Sequence, residues 1–157
     1  CKLIRKYFTH PAITTDVIVG FPGETEEEFE ATKEFLERIH FYEMHIFKYS
    51  KRKGTKAAVM PDQVPEQVKT ERSKVLLALA QEMSEEFREY YVGRPEEILL
   101  EETDEIAGNV YFTGYTKEYV KIAVLEAEGE ENILVKGVVT GRISADVYRM
   151  ENIEKAE

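Results

Sequence analysis

The residues with the most chemical promise stand where apolar runs end. In "TDVIVGFPGET" a strand-like run carries Asp16 and closes on Gly20, Phe21, Pro22, Gly23 and Glu24. Gly20 lets a ligand approach the backbone closely. Phe21 offers a flat apolar face, and Pro22-Gly23 fixes a turn that aims the next helix N-terminus at the same place. Ligands of open α/β sheets and α/β barrels sit at the carboxyl ends of strands, so the pattern suits one wall of a ligand site. Taken alone, it reads first as a well-capped turn between strand and helix. Asp16 interrupts a Val-Ile-Val run, and a buried carboxylate needs hydrogen bonds or a cation. A structural carboxylate and a ligand contact fit it equally. In "HIFKYSKRKGTKAA", Phe47, Tyr49 and Ser50 lead into Lys51, Arg52, Lys53 and Thr55. With Lys48 and Lys56 this makes five cations within nine residues and no acid among them. Cations beside aromatic rings suit a phosphate backbone with stacked bases, although a solvated charged loop accounts for the same composition.

Little else could do chemistry. His10, His40 and His45 lack metal-ligand spacing and read as structural or surface residues. No Ser/His/Asp or nucleophile-elbow pattern is present, so no catalytic and no metal-ligating residue is predicted. The single cysteine, Cys1, can form neither an internal disulfide nor a cysteine-based metal site. A formal charge of −10 over 157 residues argues against indiscriminate binding to nucleic acid or membrane surfaces and leaves room for a local basic patch. No apolar run reaches membrane-spanning length and no signal peptide is visible, so the expected location is the cytoplasm with no membrane partner.

The elements that must position these residues follow from periodicity. "KLIRKYF" (2–8) has helical spacing, and His10-Pro11 is expected to end that helix. Residues 12–21 are apolar on both alternating faces, which predicts a strand covered on both sides. Thr25 and Glu28 form a capping box, and Glu24, Glu26 and Glu27 suit the positive end of the helix dipole. Phe29, Thr32, Phe35, Leu36 and Ile39 then mark a helix to about residue 39. With "YEMHIFKYS" (42–50) as a second strand, residues 12–50 form a strand–helix–strand unit that favours a parallel pair. A Lys-, Gly- and Pro-rich loop covers 51–65. Val68, Val75, Leu76, Leu79, Met83, Phe87 and Tyr90 define one face of a helix of about seven turns, stopped near Gly93.

From residue 96 onward five short alternating segments predict a small antiparallel barrel, with Gly108, Gly114, Gly129, Gly137 and Gly141 between or within them. Small barrels of this kind often bind oligonucleotides. Tyr111, Phe112, Tyr115, Lys117, Tyr119, Lys121, Lys136, Arg142 and Arg149 are the candidates for exposed contacts, although alternation requires many of the aromatics to be core. Charge is uneven: residues 1–92 carry 14 basic and 16 acidic side chains, residues 93–157 carry 7 and 15. That acidity counts against a general grip on RNA.

In order and spacing, "TTDVIVGFPGETEEEFEAT", "HIFKYSKRKGTKAAVMPDQVP", "ERSKVLLALAQEMSEEF" and the terminal barrel resemble the C-terminal part of a radical-SAM methylthiotransferase, over about residues 2–150. The "YSKRKGT" loop with "MPDQVP" resembles the branch acting on N6-threonylcarbamoyladenosine beside the tRNA anticodon. The isopentenyladenosine and ribosomal-protein branches share the architecture, and the ribosomal-protein branch tends to carry an acidic residue where Arg52 stands. The chain departs from the family at Lys48, where proline commonly precedes Tyr-Ser.

The resemblance implies α/β followed by all-β: residues 1–92 as the C-terminal part of a radical-SAM core, a partial (β/α) barrel fragment with two parallel strands, and residues 93–157 as a five-stranded antiparallel TRAM/OB-like RNA-binding barrel. It implies S-adenosylmethionine and two [4Fe-4S] clusters in the full-length enzyme. One cluster would cleave S-adenosylmethionine to generate a radical that abstracts hydrogen from adenine C2. The second cluster would supply sulfur, and a second S-adenosylmethionine the methyl group. By the same analogy Asp16, Gly20, Phe21, Pro22, Gly23, Glu24, Phe47, Tyr49 and Ser50 line the S-adenosylmethionine side. Lys51, Arg52, Lys53 and Thr55, with Lys121 and Arg142 of the barrel, would face a tRNA anticodon stem-loop. Cluster ligation needs cysteine thiolates. The expectation is therefore an excised fragment, inactive alone and binding no cofactor, whose exposed half-barrel strands favour dimerisation. The competing expectations are a methylthiotransferase acting on isopentenyladenosine tRNA or on a ribosomal protein, and a free-standing, non-catalytic RNA-binding module.

Overall fold

The computed structural model describes residues 1–128 and 130–156, so Gly129 lies outside the described residues. The chain divides into two compact units, Cys1–Ser84 and Glu85–Glu157.

The first unit opens with helix α1, Lys2–Tyr7. Phe8 is already extended, and His10 has a left-handed φ of 50°, so the helix stops before proline can act on it. Strand β1 (Thr14–Val19), helix α2 (Glu26–Ile39) and strand β2 (Glu43–Lys48) follow. β1 and β2 pair in parallel, with Asp16 opposite His45 and Ile18 opposite Phe47. The expected capping box is present: the Glu28 amide donates to the Thr25 hydroxyl at 3.2 Å, and the Glu28 carboxylate accepts from the Thr25 amide at 3.0 Å. This satisfies two amides that the first turn leaves unpaired. Helix α3 runs Glu66–Glu89, close to the expected length. Val75, placed on its apolar face by periodicity, is 42% exposed.

Helices cover one face of the strand pair. Val17, Val19 and Met44 pack with Phe29 and Leu36 of α2 and with Leu76 and Met83 of α3 in one buried cluster. The other face is open, with Ile18 56% and Phe47 54% exposed. The sequence pattern of a strand covered twice is therefore only half realised. Alternation puts Asp16, Ile18, His45 and Phe47 together on the uncovered face.

The second unit is the expected five-stranded barrel: β3 (Pro95–Ile106), β4 (Asn109–Tyr115), β5 (Lys121–Leu125), β6 (Leu134–Arg142) and β7 (Val147–Lys155). The pairings run β3–β4–β5–β7–β6 and return to β3. Four are antiparallel as expected; β5 and β7 pair in parallel. Ile98, Leu100, Ile122, Val124, Val139 and Tyr148 fill the interior with almost no exposure. Gly114 sits where β4 meets the bulge of β3 between Leu100 and Glu102. A Cβ there would lie 1.9 Å from the Leu99 carbonyl oxygen, so the crossing admits glycine alone.

Candidate functional site

The carboxyl ends of β1 and β2 stand side by side. The Tyr49 amide donates to the Val19 carbonyl at 2.9 Å, which carries the ladder one residue past β2. Phe21 and Tyr49 meet edge to face, with ring centroids 5.3 Å apart. Phe21 is 45% exposed. Gly20 (φ 70°) and Gly23 (φ 88°) are both left-handed, a conformation that favours glycine. The Gly23 amide donates to the Asp62 carbonyl at 2.9 Å, tying the turn to the loop before α3. The expected residues thus separate into groups. Phe21, Gly23, Tyr49 and Ser50 form the strand-end rim, whereas Gly20 and Pro22 are buried and the Lys69 stem fills the space over Gly20 that a ligand was expected to use. Asp16 and Phe47 lie on the uncovered strand face.

Asp16 is exposed. The expectation of a buried carboxylate needing internal partners does not hold, because helices pack on only one face. His45, read from sequence as structural or surface, stands directly opposite Asp16 on the candidate ligand face. Its i, i+2 relation to Phe47 was the signal that could have placed it there.

Glu24 is committed to the turn. Its carboxylate accepts from the Gly20 amide at 2.6 Å and from the Arg72 guanidinium at 2.6 Å. Arg72 also donates to Glu26 at 2.9 Å and to the Glu24 carbonyl at 3.2 Å. Burial works against the Arg72 charge, and the bonds to Glu26 and Glu24 outweigh it, raising its pKa above the ordinary arginine value. Lys69 donates to the Tyr49 carbonyl at 3.1 Å. Neither α3 cation was singled out from sequence. The available signal was a Lys and an Arg three residues apart on a helix face otherwise read as apolar.

Lys48 is also explained. Its ammonium lies 2.5 Å from Glu66 and 3.3 Å from the Thr70 hydroxyl, so the end of β2 is tied to the first turn of α3. The Lys48 bond holds the Glu66 carboxyl below its usual range. A cleft of about 390 Å³ is lined by Gly23, Glu24, Thr25, Asp62, Pro65, Arg72 and neighbours. It shares Gly23 and Glu24 with the expected rim and none of Asp16, Phe21, Phe47 or Tyr49.

The cationic loop is exposed from Lys51 to Lys56. Thr55 donates to the Arg52 carbonyl at 2.8 Å and accepts from the Ala58 amide at 3.3 Å. Its hydroxyl shapes the turn that presents the cations. A 3-10 turn at Ala57–Val59 follows, and the Gln63 amide group donates to the Ala57 and Met60 carbonyls. Lys51, Arg52, Lys53 and Lys56 have no ion pair among the described residues.

The barrel cations differ. Lys121 lies 3.0 Å from Asp104 and 3.5 Å from Glu102, and Arg142 lies 3.1 Å from Glu85. Lys136, Arg149 and Lys155 are paired with Glu97, Glu151 and Glu130. Burial, with a smaller push from Glu118, raises the pKa of the Glu96 carboxyl, and Lys117 and Arg94 work against it. Of the expected aromatic contacts, Tyr111 is buried at 6%, whereas Tyr119 is 75% and Tyr115 40% exposed.

The rim has the kinds of group that an adenosine-type ligand would use. It has a half-exposed ring at Phe21, open backbone around Gly23, and a buried Tyr49 hydroxyl with no hydrogen-bond partner among the described residues. The donor set does not fit an iron–sulfur cluster. The sequence has one cysteine, and no group of three or more His, Cys, Asp or Glu among the described residues could hold a metal.

The fold defines a class: a parallel β-α-β unit followed by a small β-barrel. No family model matches the chain. It is 44% identical over 134 residues to the threonylcarbamoyladenosine tRNA methylthiotransferase MtaB of Bacillus subtilis, covering 85% of this chain and 29% of that protein. It is 40% identical over 151 residues to the tRNA-2-methylthio-N(6)-dimethylallyladenosine synthase of Acetivibrio thermocellus, covering 93% of this chain and 31% of that protein. The corresponding synthase of Mycolicibacterium smegmatis is 50% identical over 97 residues, 62% of this chain and 19% of the synthase. The chain belongs to the radical-SAM methylthiotransferase family. It spans less than a third of the length of these relatives. No helix among the described residues is long and apolar enough to cross a membrane.

Proposed function

We propose that this chain is a segment of a tRNA-modifying enzyme that adds a methylthio group to C2 of N6-threonylcarbamoyladenosine beside the anticodon. S-adenosylmethionine and two [4Fe-4S] clusters supply the radical, sulfur and methyl chemistry in the full-length enzyme, with cluster ligands from outside this sequence. Within the chain, Phe21, Gly23, Tyr49 and Ser50 form one wall of the S-adenosylmethionine site, with Gly20 and Pro22 buried in the turn that carries it. Asp16 and Phe47 face the interior of the full-length enzyme's (β/α) barrel, to which β1 and β2 contribute two strands, and Glu24 acts by fixing the turn. Lys51, Arg52 and Lys53 contact the anticodon stem-loop, and Thr55 holds them in place. Residues 93–157 serve as a TRAM-like RNA module. Lys121 and Arg142 take part only where RNA phosphates displace their carboxylates. The segment alone is inactive and self-associates through the open face around Ile18 and Phe47, a face that is turned inward when the segment works in the cytoplasm as part of its enzyme.

The observation that carries the reading is the presentation of unpaired cations directly after the β2 strand end, beside the rim. A dimethylallyladenosine substrate is the second reading, favoured by the 93% coverage of this chain in its match to that synthase. Full-length enzyme with reconstituted clusters, given anticodon stem-loops carrying either modified adenosine, separates the two. Mass spectrometry should find the methylthio product on the threonylcarbamoyl substrate. Product on the dimethylallyl substrate alone would reverse the assignment, and product on neither would sink both.

A further inference from the structure

Two buried cations of α3 have no part in the ligand wall itself. Arg72 is 6% and Lys69 8% exposed. Burying such groups is costly, and replacing a buried ion pair with well-packed apolar residues is often neutral or stabilising. Stability is therefore a poor account of why a cation stands at each position, and the geometry supplies another. A Cβ at Gly20 would lie 2.4 Å from Lys69 Cγ, so the Lys69 stem crosses directly over the end of β1. Its ammonium donates to the Tyr49 carbonyl at 3.1 Å, at the end of β2, and lies 5.5 Å from the Tyr49 ring centroid. One side chain thus spans both strand ends. Three residues on, Arg72 holds the Glu24 carboxylate, and Glu24 holds the Gly20 amide. Glu66, one turn before Lys69, bonds Lys48 and lies 3.5 Å from Lys69.

We propose that Lys69 and Arg72 are positioning residues for S-adenosylmethionine. Arg72 holds the Glu24 carboxylate on the Gly20 amide, and Lys69 holds the β1 and β2 ends in one frame, so that Phe21, Tyr49 and Ser50 meet the ligand already ordered. Neither cation touches the ligand. The inference rests on reading the rim as an S-adenosylmethionine wall.

The test uses the full-length protein with two readouts: amide hydrogen exchange over residues 17–24 and equilibrium binding of S-adenosylmethionine. Arg72→Gln should speed Gly20 exchange at least about tenfold and weaken binding by about tenfold, while exchange in the barrel strands stays unchanged. Arg72→Lys, which keeps a cation, should recover part of both. Should Arg72→Gln fail to fold, Lys69→Met keeps the stem over Gly20, removes the ammonium and should weaken binding in the same way. Unchanged Gly20 exchange and unchanged affinity in folded variants would overturn the proposal. So would faster exchange across the whole molecule, because the cations would then be merely structural. If the unsubstituted protein binds no S-adenosylmethionine, the reading of the rim fails instead, which the unsubstituted control shows before any variant is made.

Discussion

At Gly20 one residue answers two demands. Its φ of 70° is a region that side chains rarely adopt, and the Lys69 stem occupies the space where a Cβ would go. Gly20→Ala should therefore lose about 1–3 kcal/mol, combining left-handed strain with a displaced lysine. Lys69→Ala in the same chain opens the space and leaves the strain. The double variant should thus recover roughly 1 kcal/mol relative to the summed single effects, a coupling that urea denaturation of all four proteins would measure. Strict additivity would mean that the lysine stem moves aside without cost. Sequence showed the glycine, because an apolar run ending in Gly-Phe-Pro-Gly announces a special turn. It did not show the lysine, because nothing local marks which cation of a 24-residue helix will lie against a strand end 49 positions earlier.

At the scale of elements, periodicity carries far where both sides of an element are present. The box at Thr25 and Glu28, the stripe through Phe29 and Leu36, and all five barrel strands were readable because each depends on neighbours a few residues away. What failed depended on distant partners. β1 reads as doubly covered, yet in this chain only α2 and α3 pack on it, so Asp16 is no buried carboxylate, while the exposure of Ile18 agrees with the expected open half-barrel strands. The parallel β5–β7 pairing was equally hidden, since alternation fixes which side a residue faces and not the direction of its neighbour. The barrel's tightest point gives this scale its prediction. Gly114→Ala drives a methyl against the Leu99 carbonyl, a backbone atom with no rotamer through which to yield. It should cost roughly 3 kcal/mol or more. Exchange protection should fall in β3 and β4 while the β1–β2 pair keeps its protection. Full protection across β3 and β4 would show that the bulge can absorb the methyl.

For the whole molecule, charge is divided by unit. Cys1–Ser84 carries 13 basic and 13 acidic residues, and Glu85–Glu157 carries 8 and 18, so the second unit holds the entire formal charge of −10. The acidic unit is therefore the poorer candidate for an electrostatic grip on RNA. Five barrel cations are already neutralised by carboxylates, and each must lose that partner before it can meet a phosphate. The loop cations at Lys51, Arg52 and Lys53 face no such competition, so counterion release on RNA binding should come mainly from them. Each phosphate contact with a single strand contributes about 0.7 to the slope of log affinity against log salt. Replacing Lys51, Arg52 and Lys53 with alanine in the full-length protein should lower that slope by about 2 for an anticodon stem-loop. Lys121→Ala with Arg142→Ala should change it by less than about 1, since removing a cation also frees its carboxylate to repel RNA without removing an existing contact. Fluorescence anisotropy from low to moderate salt measures both. A larger fall in slope from the barrel pair than from the loop triple would place the RNA grip on the acidic unit after all. The loop would then be a solvated surface, the reading its composition first allowed.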